Sequence, residues 1–375
     1  MVETFYRDTW AEINLDAIRF NVKQMKQKLP QQSGIIAVVK ADGYGHGAVQ
    51  VAKSALKAGA DTLAVALLEE AISLRKANIN VPILVFGRVT PQDVPTATEY
   101  DVTLTFFQKE WIREVKDLPL KNDLKLHMKW DSGMGRLGIR TKNELVELLN
   151  ELNENQRIYL TGIYTHFATA DEHNLSYFHE QRARFEDLLR VFTEHWKQKQ
   201  AVTIHIGNSA AAIRFPENLH HFIRFGIAMY GLYPSQTVKE EKDIELKPAF
   251  SLHSRLIHVK TIAPGESISY GATYKAKEDE WIGTIPIGYA DGWARKLQGM
   301  EVLVDGKRMP IVGRICMDQT MIRLDQAYPV GTKVTLIGEQ YHNRIELDEI
   351  ASYLDTINYE IPCMISQRVP RIYKN

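Results

Sequence analysis

The stretch IIAVVKADGYGHG, residues 35–47, decides how the rest of the sequence is interpreted. Five apolar residues run into Lys40, and the seven residues after it include three glycines where helix formers would be expected. A short apolar run bounded by turn residues is typical of a buried strand. A lysine closing such a strand is either a surface lysine whose stem lies along apolar residues or a group whose charge or amine is used.

Seven similar runs follow, interrupted by longer amphipathic stretches. They begin at Thr62, Pro82, Val102, Leu124, Leu160, Val202 and Phe222. Between them, segments such as VQVAKSALKAGA and LEEAISLRKANI carry apolar residues at the three- and four-residue spacing of a helix. Eight strands alternating with helices predict an α/β fold of the (β/α)8, TIM-type barrel kind, with a parallel sheet.

After about residue 245 the helical period disappears. Runs such as FSLHSRLIHVKTI and MEVLVDGKRMPIVG alternate apolar and polar residues and break at Gly, Pro and Asp-Gly turns, which predicts a mostly β domain. The charge-rich TVKEEKDIE, from Thr237, is the best linker candidate. We therefore expect a barrel over residues 8–240 and a β domain made of residues 1–7 and 241–375.

Composition excludes several classes of protein. Lys plus Arg equals Asp plus Glu at 46 each, so no basic surface for nucleic acid or an anionic membrane is expected. The start MVETFYRDTW lacks the pattern of a secretory signal. Two cysteines, Cys316 and Cys363, cannot build a disulfide framework. These features predict a soluble, cytoplasmic protein that acts on a small molecule, without a metal site.

Polar residues at the ends of several predicted strands indicate where the chemistry lies, because barrel enzymes place their active sites at the carboxyl ends of the strands. Besides Lys40, these residues are Lys129, Asp131, His166, Asn208, Ser209 and Arg224. Such barrels often bind phosphate through the loops after strands seven and eight. Ser209, Gly226 and Ile227 lie in those loops, so a phosphate-bearing cofactor fits the pattern.

The chain resembles bacterial alanine racemase in eight motifs that occur in the same order. They are AVVKADGYGHG, KWDSGMGRLGIR, GNSAAAIRFP, IRFGIAMYGLYP, SISYGATY, PIGYADGW, GRICMDQ and INYEIPC. The resemblance implies a pyridoxal 5'-phosphate enzyme that interconverts L- and D-alanine and so supplies D-alanine for peptidoglycan. In it, Lys40 forms a Schiff base with the cofactor, and Lys40 and Tyr270 are the two acid-base groups, acting on D-alanine and L-alanine respectively.

The resemblance also implies roles for other residues. Arg224 faces the cofactor's pyridine nitrogen, and His205 lies between Tyr270 and Arg224. Arg136 meets the phenolic oxygen and the substrate carboxylate, and Lys129 beside it is carbamylated in many family members. The remaining cofactor contacts are Tyr44, His166, Asn208, Ser209, Gly226, Ile227 and Tyr359, while Met317 and Asp318 complete the substrate end. For Asn208, capping of a helix before SAAAIRF is an equally good interpretation.

Tyr270, Met317 and Tyr359 fall in the predicted β domain, whereas Lys40 falls in the barrel. The family resolves this by a head-to-tail homodimer, in which Lys40 of one chain faces Tyr270 of the partner subunit. Three alternatives stay open: an amino-acid racemase of broader specificity, for example toward serine; a related decarboxylase of basic amino acids; and a non-catalytic pyridoxal-phosphate carrier. SISYGATY and GRICMDQ argue against the decarboxylase, and the second domain argues against the carrier.

Overall fold

The structure is a computed structural model that describes residues 6–153, 157–198 and 200–375. The chain divides into two compact units. A barrel unit comprises residues 17–43 and 48–247, and a β unit comprises, of the described residues, 6–16, 44–47 and 248–375. Residues 1–5, which the sequence places in the β domain, and Lys199 lie outside the described residues.

The barrel unit contains the eight predicted strands. In chain order the first to eighth barrel strands are Gly34–Val38, Thr62–Val65, Ile83–Val85, Thr103–Phe106, Leu124–Lys129, Ile158–Tyr164, Thr203–His205 and Phe222–Phe225. Each of the first six pairs in parallel with the next along the chain, and the eighth pairs in parallel with the first. The predicted (β/α)8 barrel is therefore confirmed. Its strands are apolar and largely buried because helices cover a parallel sheet.

The seam between the seventh and eighth strands closes the barrel with few backbone contacts. A parallel bridge joins Gly207 to Ile223, and the backbone N–H of Arg224 donates to Gly207 O at 2.9 Å. The Arg224 side chain adds bonds to the carbonyls of His205, at 2.6 Å, and Ile206, at 3.1 Å. A side chain of the eighth strand thus supplements the short ladder at the seam.

The helices of the chain mostly follow the strands of the barrel, as the amphipathic stretches predict. They are Leu15–Lys28, Lys40–Tyr44, Ala48–Lys57, Leu68–Lys76, Val94–Glu99, Lys109–Val115, Lys142–Asn153, Ser176–His195, Ser209–Arg214, Gln236–Glu241, Leu347–Leu354 and Glu360–Met364. The segment Lys40–Tyr44 is a left-handed turn, whereas the helix Ala48–Lys57 ends just before Ala58 and Gly59. No helix among the described residues is long and apolar enough to cross a membrane.

The charge-rich stretch from Thr237 is not simply a linker, as its composition had suggested. Its first half belongs to the helix Gln236–Glu241, whose start is capped by Ser235 Oγ, which accepts from Val238 N at 3.3 Å. Val238 is fully buried, and Glu241 forms an ion pair with Arg214 at 2.7 Å. Burial of one apolar residue and pairing of one carboxylate stabilise this helix within the barrel unit.

The β unit consists of three sheets. The large sheet has the order Lys307–Pro310, Glu301–Val304, Lys333–Gln340, Phe250–Arg255, Thr9–Asn14 and Arg371–Lys374, with Asn343–Ile345 pairing beside Lys333–Gln340. A second sheet has the order His258–Ile262, Glu280–Ile285 and Thr320–Leu324, and a hairpin joins Ser267–Ile268 to Tyr274–Lys275. Apart from Thr9–Asn14 with Arg371–Lys374, the paired strands are antiparallel. The mostly β character of the second domain is confirmed.

Two segments lie in the β unit although the sequence placed them in the barrel range of 8–240. Thr9–Asn14 forms a central strand between Phe250–Arg255 and Arg371–Lys374, so its ladder partners are over two hundred residues away. Residues 44–47 also belong to the β unit. Gly45 is required there, because it has φ +78° and a Cβ would come within 2.2 Å of Pro362 O. Long-range pairing of this kind leaves no local signal.

Candidate active site

Lys40 follows directly on the first barrel strand, at the carboxyl end where barrel enzymes carry their active sites. The backbone N–H of Val39 donates to Ala64 O at 2.9 Å, which continues the strand pairing up to the lysine. Lys40 is half-buried, and its charge is one of the causes that lower the pKa of His166, after burial and the charges of other cations. The two predicted site residues are therefore neighbours in electrostatic terms.

Arg224 is the buried cation at the centre of the barrel mouth. Besides the carbonyls of His205 and Ile206, its guanidinium donates to Thr165 O at 2.7 Å and contacts His205 Nδ1 at 3.1 Å and His166 Nδ1 at 3.2 Å. Burial lowers the pKa of Arg224 to about 10, which still leaves it protonated at neutral pH. A protonated guanidinium only donates hydrogen bonds, so both histidine Nδ1 atoms act as acceptors.

His205 is completely buried between two partners. With Nδ1 accepting from Arg224, its proton lies on Nε2, which is 2.9 Å from His127 Nδ1. Burial lowers the pKa of His205 well below its ordinary value and that of His127 to about 3, so both rings are neutral. Both nitrogens of His205 are thus engaged within the barrel.

His127 is a residue of this network that the sequence interpretation missed. It lies two positions before Lys129 in the fifth barrel strand, and residues two apart point to the same face of a strand. This periodicity was a usable signal, because Lys129 had already been singled out. Tyr164 also belongs here, since its ring stacks on His205 with centroids 4.8 Å apart, and burial raises its pKa to about 12.

Lys129 is buried with no hydrogen-bond partner for Nζ among the described residues. Its Nζ lies 5.1 Å from the centroid of the Tyr164 ring. Burial, followed by the charges of Arg224 and Arg136, lowers the pKa of Lys129 to about 7. An unpaired buried amine is costly, and here it is about half neutral at pH 7. Such an amine can act as a nucleophile, or it can bind a group that the described residues do not supply.

Arg136 projects from the loop that follows the fifth barrel strand. Asp131 Oδ1 accepts from Gly133 N at 3.1 Å and from Gly135 N at 2.9 Å, which folds the loop. Gly138 has φ +131°, and a Cβ there would come within 2.5 Å of Asp131 N, so only glycine fits. The loop therefore presents an exposed arginine whose charge reaches Lys129, His166 and Tyr164.

The loops after the seventh and eighth barrel strands meet at Ser209. Its Oγ accepts from Gly226 N at 3.0 Å, which joins the hydroxyl and the amides expected to hold a phosphate. Ile227 follows in a short turn of 3-10 helix. Asn208 caps the helix Ser209–Arg214, because its Oδ1 accepts from Ala211 N at 3.0 Å and its Nδ2 donates to Phe167 O at 3.3 Å. Its side chain thus serves as the cap that the sequence also allowed.

In the β unit, Tyr270 is 70% exposed, which is far more than a packing tyrosine would be. The preceding residue, Ser269, has φ +66°, and its Oγ donates to Arg314 O at 2.5 Å. Ala272 and Gly271 also have positive φ. A positive φ costs free energy at Ser269 and Ala272, which carry side chains, whereas Gly271 adopts it readily. The fold therefore stabilises a strained turn that presents the Tyr270 side chain.

The other predicted residues of the β unit are each held by local contacts. Met317 is 54% exposed and follows Cys316, while Asp318 Oδ1 accepts from Arg368 at 2.7 Å. The rings of Tyr44 and Tyr359 lie 6.3 Å apart. Burial raises the pKa of the Tyr44 hydroxyl above its ordinary value, so that group stays protonated. The side chains of Tyr270 and Met317 are thus largely exposed.

The barrel mouth suits an anionic, ring-bearing ligand that carries a carbonyl. A lysine amine can add to an aldehyde, a buried guanidinium can donate to a ring nitrogen, and a serine hydroxyl can donate to a phosphate. The orphaned Nζ of Lys129 and the arginine loop beside it leave positive charge in excess at this end of the barrel. The residues present therefore fit pyridoxal phosphate.

The lowered pKa of Lys129 predicts a pH-dependent stability in protein kept free of cofactor and CO2. The folded-state pKa of about 7 lies below the ordinary 10.5, so the unfolded state binds more protons between these values. The free energy of unfolding should therefore rise with pH in this window, by up to about 1.4 kcal/mol per pH unit, relative to Lys129→Met. Denaturant unfolding of both proteins measures the difference, and parallel pH profiles would contradict the burial of a charged amine.

Comparison with known proteins gives matches along nearly the whole chain. Residues 13–234 match the model of the alanine racemase N-terminal domain, and residues 249–373 match that of the C-terminal domain. An alanine racemase of Anoxybacillus flavithermus is 55% identical, over 100% of this chain and 96% of that protein.

Solved structures agree with these matches. Alanine racemase from Bacillus anthracis with bound L-Ala-P has a TM-score of 0.95 at 50% identity, covering 100% of this chain and 96% of that one. A histidine racemase from Leuconostoc mesenteroides subsp. sake has a TM-score of 0.91 at 30% identity, with full coverage of both chains. Two family models and full-length relatives at about half identity agree, and the chain belongs to the alanine racemase family.

Proposed function

We propose that this chain is a pyridoxal 5'-phosphate enzyme that interconverts L-alanine and D-alanine. The observation that carries the proposal is Lys40 at the end of the first barrel strand, beside a mouth that holds buried Arg224 and the unpartnered amine of Lys129. Full-length relatives at 55% identity are alanine racemases, which supports alanine as the substrate. Its product would serve peptidoglycan synthesis in the cytoplasm.

Lys40 would hold the cofactor covalently through its amine. Ser209, Gly226 and Ile227 would bind the phosphate. Ser209 Oγ accepts from Gly226 N at 3.0 Å, which joins the two loops and leaves the hydroxyl proton to donate to a phosphate oxygen. Arg224 would donate to the ring nitrogen without protonating it, because its pKa of about 10 keeps the proton on the guanidinium. We keep Tyr44, His166, Asn208 and Tyr359 as proposed contacts of the cofactor, with Asn208 acting through the loop that it caps.

Pyridoxal phosphate, when bound, supplies an electron sink that acidifies the α-proton of an attached amino acid. The protein must then remove a proton on one face and supply one on the other. Lys40 would serve the face of D-alanine and Tyr270 that of L-alanine. Arg136, on its folded loop, would bind the substrate carboxylate through its planar fork of donors, with Met317 and Asp318 bounding the same end.

Tyr270 needs help to act as a base, because a tyrosine has an ordinary pKa of about 10. His166 is the better candidate for this help, since its Nδ1 accepts from Arg224 at 3.2 Å and its proton accordingly lies on Nε2. A neutral imidazole can donate from Nε2 to a phenolate oxygen. His205 and His127 would support Arg224 from behind and fix its orientation.

Lys129 is proposed to be carbamylated. A buried amine with a pKa of about 7 and no hydrogen-bond partner is substantially neutral at physiological pH, as addition to CO2 requires. The neutral amine adds to CO2: the carbon–nitrogen bond forms, one carbon–oxygen π pair moves onto oxygen, one proton leaves the nitrogen, and the neutral amine becomes an anion. That anion would accept hydrogen bonds from Arg136 and would relieve the repulsion among Lys129, Arg136 and Arg224.

A homodimer would complete the site. Tyr270 at 70% and Met317 at 54% exposure are apolar or amphipathic side chains that a partner surface would cover. In the proposed pairing, Lys40 of one chain meets Tyr270 of the partner subunit, and the twofold axis generates two equivalent sites.

Substrate specificity has one serious alternative. The fold is shared with a histidine racemase at 30% identity, so the architecture by itself does not select alanine. Serine differs from alanine by one hydroxyl, and a pocket of this kind discriminates such differences weakly. A decarboxylase or a non-catalytic carrier is disfavoured because the family matches cover both domains.

The first test is a racemisation assay on protein loaded with pyridoxal phosphate. We expect the absorbance of lysine-bound cofactor, formation of D-alanine from L-alanine, and a preference for alanine over serine and histidine of about tenfold or more in kcat/KM. Lys40→Ala, as the control, should lose the bound-cofactor absorbance. A wild-type chain without that absorbance, or one that racemises histidine faster than alanine, would contradict the proposal.

The second test mixes Lys40→Ala and Tyr270→Ala subunits, each inactive alone. Statistical exchange makes half of the dimers mixed, each with one intact site of two, so about a quarter of the wild-type activity should return. Subunit exchange is verified with two differently tagged chains. Exchange without recovered activity would show that the site is not shared between subunits.

The third test addresses Lys129 directly. With ¹³C-labelled bicarbonate, the wild type should show a carbamate carbon resonance that Lys129→Ala lacks. Lys125→Ala, which removes an exposed lysine of the same strand, should keep the resonance. Equal spectra for wild type and Lys129→Ala would remove the carbamate from the proposal.

A further inference from the structure

The backbone immediately after Lys40 is held in an unfavourable conformation. Ala41, Asp42, Gly43 and Tyr44 have φ of +52°, +49°, +61° and +52°. The left-handed conformation costs free energy for each residue with a side chain. A run of four such residues persists only where surrounding contacts enforce it, and strain of this kind often lies at functional sites.

Three hydrogen bonds within the barrel unit hold this turn. Gly43 N donates to Val39 O at 2.9 Å, and Ala48 N donates to Asp42 Oδ1 at 2.8 Å. The third runs from Ala41 N to Glu70 Oε1 at 2.5 Å. The first two join residues close in sequence, whereas Glu70 reaches the turn from the next strand–helix repeat of the barrel.

The Glu70 carboxylate is itself fixed by its own helix. It is the third residue of Leu68–Lys76, and Oε2 accepts from Ala66 N at 2.8 Å and Leu67 N at 3.0 Å. A carboxylate at a helix N-terminus is favoured by the helix dipole. One oxygen therefore binds the helix start while the other holds the N–H next to Lys40. Glu70 connects the carboxyl ends of the first and second barrel strands.

We propose that Glu70 is a positioning residue for Lys40. The inference rests on the proposed function, in which the Lys40 amine leaves the cofactor and then exchanges a proton with the α-carbon of the substrate. From one backbone position, the flexible four-carbon side chain of Lys40 must bring its amine both to the cofactor and to the α-carbon of the substrate. A misplacement of about 1 Å can cost a hundredfold in rate, so the clamp on Ala41 N sets how well the amine reaches the α-carbon.

The first experiment needs no cofactor. In cofactor-free protein, Glu70→Ala should speed amide hydrogen exchange in peptides that cover residues 40–48, because the acceptor of Ala41 N is lost. Glu69→Ala, at an exposed glutamate of the same helical turn, should exchange like the wild type. Unchanged exchange in Glu70→Ala would overturn the proposal at its first step.

The second experiment uses the loaded enzyme. We expect Glu70→Ala to lower kcat by about tenfold to a hundredfold with KM changed much less. The α-deuterium isotope effect should rise for one enantiomer alone, which is D-alanine if Lys40 serves that face. Glu70→Gln, which keeps one acceptor oxygen, should fall between wild type and Glu70→Ala, and Glu69→Ala should match the wild type.

The outcomes separate this role from the proposed function. A lower thermal stability of Glu70→Ala with unaltered isotope effects, or equal changes for both enantiomers, would overturn the positioning role. A rise confined to L-alanine would support that role and contradict only the faces assigned to Lys40 and Tyr270. Absence of racemisation by the wild type would overturn the proposed function and, with it, this inference.

Discussion

The structure depends on one buried guanidinium that closes the barrel. Between the seventh and eighth strands the backbone contributes little pairing, and Arg224 supplements it with bonds to the carbonyls of His205, Ile206 and Thr165. A buried cation is tolerated only with such partners. These carbonyls lie at the ends of the sixth and seventh strands. The same hydrogen bonds therefore join the strands at the seam and hold the positive charge of Arg224 at the barrel mouth.

That charge determines the protonation of its surroundings. Arg224 only donates, so His166 and His205 must accept through Nδ1. The proton of His205 therefore lies on Nε2, which donates to His127 Nδ1. Burial acts in the same direction and lowers the pKa values of these rings and of Lys129. The barrel mouth therefore combines neutral imidazole rings with a protonated guanidinium.

Strain is placed at both proposed acid-base residues, although they lie in different units. Lys40 precedes four residues with positive φ, and Tyr270 lies between Ser269 and Gly271, which also have positive φ. In each case a side-chain hydrogen bond supports the turn: Ala41 N donates to Glu70 Oε1, and Ser269 Oγ donates to Arg314 O. The fold spends stability on two turns that direct long side chains.

The sequence by itself determined the eight barrel strands and the mostly β second domain, and it singled out Lys40 as the proposed reactive lysine, because periodicity, turn residues and motifs are local signals. Only the tertiary structure decided that Thr9–Asn14 joins the β unit, that Gln236–Glu241 is a helix, and that both His205 nitrogens are engaged. It also showed that His127 contacts His205 and that Glu70 accepts a hydrogen bond from Ala41 N. Ladder partners, hydrogen bonds and burial join residues distant in sequence, and a local pattern does not encode which distant group will be the neighbour.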